Sequence, residues 1–241
     1  EVFTTRTLAT YSYELNNKKA PFDNVNVRKA LNLSLDRNVI TDKVLGQGQT
    51  PTYVFTPTYI EEGQLIQQPA YSKEPMAQRN EEAIKLLEEA GYSKANPLKF
   101  SILYNTNENH KKVAIAAASM WKANTKGLID VKLENQEWKT YIDSRRAGRY
   151  DAARAGWNAD YNQATTFGNY FLSNSSNNTA KYANPEYDKA IAESYVATDA
   201  EGRAKAYAKA EEILAKDFGI VPIFNYVNPR LVKPYVKGYS G

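Results

Sequence analysis

The chain contains no cysteine, which removes disulfides, thiolate metal sites and cysteine nucleophiles together. Its single histidine, His110, leaves any centre that needs two imidazoles short of ligands, so neither a metal nor a cofactor is expected. No stretch reaches the roughly 20 apolar residues of a transmembrane helix. The opening residues Glu1–Thr5 have neither the basic start nor the apolar core of a signal peptide, so the chain is expected to be soluble. Runs of five or six like charges are also missing. The 31 Lys and Arg and 27 Asp and Glu, a formal +4, are scattered along the chain, which argues against nucleic acid as a partner. There is no G-x-S-x-G elbow, a catalytic triad would have to use His110 as its base, and Gly46-Gln47-Gly48 lacks the rest of a phosphate loop. No catalytic residue is therefore assigned. Because 27 acids always offer pairs, a carbohydrate-active enzyme with two facing carboxylates stays open as the enzymatic alternative.

What is present is an ordinary globular balance, 42% hydrophobic and 24% charged, with 18 Tyr and three Trp. Side chains with an apolar body and a polar tip suit ligand clefts as well as cores. Residues 7–15 alternate as a strand, and Asn16-Asn17-Lys18-Lys19 ends it. Asp23 or Asn24 can cap a helix carrying Val27, Ala30, Leu31 and Leu35, and Asp36 opens a second that stops at Gly46. From Gln49 to Pro75 four prolines interrupt any period, which predicts a long ordered excursion. The regular part follows. A helix from residue 78 closes at Gly91, and then come strand 98–104, helix 109–124, strand 129–133, helix 137–147 and strand 150–156. This βαβαβ pattern implies a parallel-sheet core in an α/β fold, with ligands beyond the strands' carboxyl ends, at residues 104–110 and 156–165. A short helix over 165–172, helices over 185–196 and 200–217 and a strand over 220–227 complete the pattern. No repeat and no linker divides the chain.

The sharpest segment is Ala153-Arg154-Ala155-Gly156-Trp157-Asn158-Ala159-Asp160, where a strand ends in small residues bearing an Arg, a Trp and an Asp. Arg clamps a carboxylate, Asp accepts from an ammonium, Trp offers a flat wall, and Gly lets a ligand backbone approach. A zwitterion with charged ends would fit. A surface Arg–Asp pair beside a core Trp would account for the same residues equally well. Trp138, Ile142 and Arg145 share one face of the preceding helix, which alone suits an ordinary amphipathic helix better than a site. His110, where a strand gives way to a helix, could meet a carboxylate or lie idle on the surface.

These residues, with Tyr11-Ser12-Tyr13-Glu14, Arg28-Lys29-Ala30-Leu31, Ala83-Ile84-Lys85-Leu86-Leu87-Glu88-Glu89-Ala90-Gly91-Tyr92, Asn135-Gln136-Glu137-Trp138 and Arg230-Leu231-Val232-Lys233-Pro234, closely resemble the periplasmic oligopeptide-binding proteins. These are the solute-binding family 5 receptors of bacterial peptide ABC importers. The resemblance implies a periplasmic binding protein type II-like lobe with a βαβαβ parallel-sheet core and additional helices. It implies a periplasmic receptor, not an enzyme, that binds short peptides and hands them to a membrane permease. Residues 1–227 would form the ligand-binding C-terminal lobe, and 228–241 a tail returning toward a missing N-terminal lobe. Carried over by position, Asp160 would pair with the peptide ammonium, and Arg154, Arg145 and His110 with carboxylates of peptides of different length. Trp138 and Trp157 would wall side-chain pockets, Gly156 and Asn158 would offer main-chain bonds, and Tyr226 would face the cleft. Two departures bear on ligand preference: Asn158 stands where relatives have Cys, and Leu45 where a Lys can meet the carboxylate of very short peptides. Receptors for murein peptides, dipeptides or haem share the scaffold and are the alternatives within it. With the opposite wall absent, the chain alone is expected to bind peptide weakly.

Overall fold

The computed structural model describes residues 2–231, with side chains over 6–228. Its elements are β1 (Val2–Leu15), α1 (Val25–Leu33), a π-helical segment Val39–Leu45, β2 (Thr50–Pro51), α2 (Met76–Glu89), β3 (Leu98–Asn105) and α3 (Glu108–Asn124). They continue with β4 (Ile129–Gln136), α4 (Trp138–Arg146), β5 (Ala152–Asn158), α5 (Thr165–Gly168), α6 (Pro185–Val196), α7 (Ala200–Asp217) and β6 (Ile220–Leu231). Side-chain caps place the helix starts: Asn24, Asn107, Glu137, Asn184 and Asp199 each accept from a backbone N–H of the first turn. No helix of the described residues is long and apolar enough to cross a membrane.

One six-stranded sheet, ordered β2-β6-β1-β5-β3-β4, holds the chain together. The expected βαβαβ unit is there, with β3 between its parallel neighbours β4 and β5. The sheet as a whole is mixed, because β1 pairs antiparallel with both β5 and β6. Helices cover both faces. Tyr11, Tyr13 and Leu15 of β1 pack into a core with α1, α2 and α3 that contains the fully buried Trp121. On the other face Phe167, Tyr187 and Leu214 belong to a second core, and Leu103, Tyr141, Tyr150 and Ala153 form a small third one under α4. The excursion after β2 has little secondary structure and is pinned instead. Buried Glu211 of α7 accepts from the backbone of Phe55 and Thr56, and Thr10 donates to the Phe55 carbonyl.

The expected helix 36–45 forms only as the π-helical turn, ended by Gly46 at φ 64°, a left-handed conformation that glycine adopts without steric cost. The final strand runs past residue 227 to Leu231. Residues 232–241 of the expected tail lie outside the described residues.

Three buried arginines tie helix ends to the rest of the fold without a carboxylate. Arg37, fully buried, donates to the carbonyls of Pro222 at 2.6 Å and Asn32 at 3.1 Å and to the Asn32 side chain at 3.0 Å. Arg79 of α2 donates to the carbonyls of Leu33 and Leu35 at 2.9 and 3.1 Å. Both guanidiniums lie over the Tyr53 ring, at 4.0 and 5.2 Å. They close the C-terminal end of α1, where carbonyls lack intrahelical partners and the helix dipole favours a cation. Arg28 does the same for α7 through the Asp217 carbonyl, at 2.9 and 3.1 Å. Replacing Arg37 by Met keeps the bulk and strands these acceptors, at about 1–3 kcal/mol each when buried. Arg37→Met should therefore lower the stability by about 3 kcal/mol or more in urea unfolding. A loss below about 1 kcal/mol would show that water or a rearranged loop replaces the guanidinium.

Candidate functional site

The parallel strands end where the sequence pattern places a ligand, and β5 outruns its neighbour there. Only Ala152 and Ala153 of β5 pair with β3, at Ile102 and Leu103, whereas pairing with β1 continues to Asn158. From Arg154 to Asn158 the strand therefore has one paired side and one open side. The Tyr141 hydroxyl donates to the Arg154 carbonyl and closes the first position of the open side. Alternate residues of a strand turn their backbone groups the same way, so Gly156 and Asn158, both exposed, present theirs on that open side.

Side chains of β5 alternate between the two faces, and the candidate residues divide with them. On one face Arg154, opposite Tyr13 in the register, donates to the Tyr226 hydroxyl at 2.8 Å and the Asn105 side chain at 3.3 Å. It lies 5.2 Å from the Tyr11 ring centre. His110, in the first turn of α3, meets the Tyr11 hydroxyl at 3.2 Å. Tyr11 is thus shared by Arg154, His110 and Tyr226, whose ring is 5.9 Å away. Among the described residues no carboxylate pairs with Arg154, so a permanent cation is held against phenols and an amide. Gly156 adjoins this cluster. A Cβ there would come within 2.6 Å of the Arg154 guanidinium and 2.9 Å of the Tyr226 hydroxyl, so any larger residue would have to push these two side-chain tips aside.

On the other face a groove of about 450 Å³ gathers Trp138, Arg145, Gly156 and Trp157 with Tyr170, and its lining contains no Asp or Glu. Trp157 donates to the Thr166 carbonyl at 2.9 Å and meets Tyr170 edge-on at 4.9 Å, while Trp138 is 58% exposed. Arg145 is not free. Its guanidinium pairs with the buried Glu14 of β1 at 3.0 Å, and the Tyr170 and Thr179 hydroxyls donate to the same carboxylate at 2.8 and 2.5 Å. Burial works most strongly against the charge of Arg145, and the Glu14 carboxylate together with the Tyr141 and Tyr170 phenols more than offsets it, so its pKa is held above the ordinary value. The expected use of Arg145 as a ligand for a terminal carboxylate finds no support in this arrangement.

Asp160 is exposed in the loop after β5 and forms no ion pair among the described residues. It does not touch Arg154. Its loop is fastened to the excursion: Ala164 donates to the Glu61 carbonyl, Gln163 donates to the Glu62 carboxylate, and Glu61 donates its N–H to the Asn162 side chain. The structure thus brings together Arg154, His110, Gly156 and Tyr226, and separately Trp138, Arg145, Gly156 and Trp157. Asn158 and Asp160 stand exposed at the strand's end. Sequence reasoning missed Tyr11, Glu14, Tyr141 and Tyr170. No local signal singled them out: Glu14 falls in phase with Thr10 and Ser12 on the polar half of the strand's alternation.

Residues 1–179 match the bacterial extracellular solute-binding proteins, family 5, over that family's middle region, and the chain belongs to this family. It is 96% identical over its whole length to the periplasmic oligopeptide-binding protein OppA of Haemophilus influenzae, of which it covers 44%. A periplasmic murein peptide-binding protein of Escherichia coli, MppA, is 44% identical over 239 residues and is also covered to 44%. The chain spans less than half the length of these curated relatives. Among solved structures, that of H. influenzae OppA in complex with the peptide RPPGFSPFR superposes with a TM-score of 0.94 at 95% identity, covering all of this chain and 47% of that one. The unliganded open form of MppA gives 0.92 at 43% identity, covering 99% and 46%.

Burial, and next the Arg154 charge, push the His110 pKa down from 6.5 to about 4. The unfolded chain then takes up a proton that the folded one refuses, so stability is complete above pH 6.5 and falls as the pH drops toward 4. His110→Gln should flatten that slope in urea titrations across the window, and an unchanged slope would show that the imidazole is solvated and free to charge.

Proposed function

We propose that the chain is the C-terminal, ligand-binding lobe of a periplasmic receptor that binds short peptides and delivers them to the membrane permease of an ABC importer. Residues 1–227 form the ligand-binding lobe, and residues 228–241 return toward an N-terminal lobe that supplies the opposite wall of the cleft. The observation that carries this reading is the open side of β5 from Arg154 to Asn158. A peptide laid along it adds a strand, main chain to main chain, and turns alternate side chains into the groove and away from it. Affinity then comes from groups every peptide has.

The ends of the ligand explain the charged residues. Arg154, lacking a carboxylate of its own, receives the peptide's carboxylate, with His110 serving peptides of another length. Asp160, exposed and unpaired beyond the strand's end, receives the ammonium. Arg145 contributes through the groove floor and not as a terminal ligand. The absence of any Asp or Glu from the groove lining supports binding over paired-acid hydrolysis, and the reading requires no catalytic residue, metal, cofactor or nucleic acid. The peptide in the OppA complex and the names of the curated relatives support the ligand class.

Calorimetry on the protein carrying both lobes tests the assignment of the two ends. One lost charge-assisted hydrogen bond is worth about 1.5–3 kcal/mol, or roughly 10- to 100-fold in affinity. Arg154→Gln should lower affinity for a free-acid tripeptide by at least about tenfold and spare its C-terminal amide. Asp160→Ala should weaken binding of free peptides and spare N-acetylated ones. Equal losses for blocked and free peptides would refute both roles.

A further inference from the structure

The exposed Asp160 carboxylate has no ion-pair partner among the described residues, so its place is set by the chain on either side. On one side Ala159 donates to the Leu8 carbonyl of β1 at 2.8 Å. On the other the Glu61 carbonyl accepts from Ala164 at 3.0 Å, and the Glu61 N–H donates to the Asn162 side chain at 2.9 Å. Asp160 and Tyr161 span the gap between these anchors.

The second anchor depends on Glu62. Its backbone is left-handed, φ 69°, a conformation that residues other than glycine adopt rarely. Glu61 through its backbone and Glu62 through its carboxylate thereby reach the same loop. That carboxylate belongs to a residue only 5% exposed, and its two oxygens are taken separately, Oε2 by the Gln163 side chain and Oε1 by Arg203, each at 2.8 Å. Arg203 stands in the first turn of α7, where the helix dipole disfavours a cation, so the carboxylate and not the helix accounts for its engagement. A buried carboxylate needs such partners, and one of them, Gln163, lies on the ligand loop three positions from Asp160. The same helix holds the excursion a second time through Glu211. The loop after β5 is thus fastened to a segment that α7 fixes at two points.

We infer that Glu62 is a positioning residue for Asp160: clamped between Gln163 and Arg203, it holds the loop after β5 so that the carboxylate stands ready for a peptide ammonium before the peptide arrives. Binding then avoids the cost of ordering the loop. Glu62 acts through the loop alone. The inference rests on the peptide-receptor reading.

Calorimetry with free tetraalanine on the full-length two-lobed receptor tests this through a double-mutant cycle. Glu62→Gln sets an amide donor against one of two groups that themselves donate, so one bond of the clamp is lost. It should lower affinity at least about fivefold in the wild-type background and leave it unchanged in the Asp160→Ala background. Adding Gln163→Glu to Glu62→Gln reverses the bond: the new amide donates to the new carboxylate while its oxygen still accepts from Arg203. That pair of changes should restore the wild-type affinity. Should Glu62→Gln fold poorly, Gln163→Ala removes the same bond from a half-buried position, leaves the Glu62–Arg203 pair in place and serves in the same cycle. An equal loss in both backgrounds, no loss in either, or no recovery on reversing the bond would each overturn the assignment. Were Asp160→Ala alone to bind tetraalanine as tightly as the wild type, the ammonium site itself would fall, and this inference with it.

Discussion

The register of β1 against β5 is the constraint on which the rest of the site depends. Tyr13 faces Arg154 and Tyr11 faces Gly156 across the pair, which puts the phenols beside the unpaired guanidinium on one face. Glu14, the residue of β1 after Tyr13, is thereby turned to the opposite face, where it meets Arg145 of α4. A slip of one residue would exchange the faces of the whole strand. It would bury a carboxylate among tyrosines and leave Arg145 without its partner. Buried polar groups on both faces of one strand thus specify a single pairing more strictly than an apolar strand could.

Arginine in this fold is used in three distinct ways, and the difference lies in what each guanidinium faces. Arg28, Arg37 and Arg79 are spent on helix-terminal carbonyls and belong to the architecture. Arg145 is spent on a carboxylate. Arg154, among the described residues, has only neutral partners.

Much of this was legible locally. Helices α6 and α7 begin and end where the sequence pattern places them, because Asn184-Pro185 and Asp199 are strong starting signals. The carboxyl ends of β3 and β5 were located from helix and strand periods alone. The mixed character of the sheet was not legible, since the antiparallel pairing of β1 with both β5 and β6 joins segments far apart in the chain. The same distance hid the Glu14–Arg145 pair, whose members are separated by 131 positions. The surface Arg154–Asp160 pair that the sequence equally allowed does not form, because Arg154 is engaged by Tyr226 and Asp160 stands in solvent.

The three indoles occupy three environments, which has a spectroscopic consequence. Trp121 is fully buried and donates to the Leu31 carbonyl, so its emission reports the integrity of the main core. Trp157 is partly covered and Trp138 open to solvent, and both line the same groove. Occupancy of that groove shifts the fluorescence of two tryptophans and leaves the third as an internal standard, so filling and unfolding are separable in a single emission spectrum without an added label.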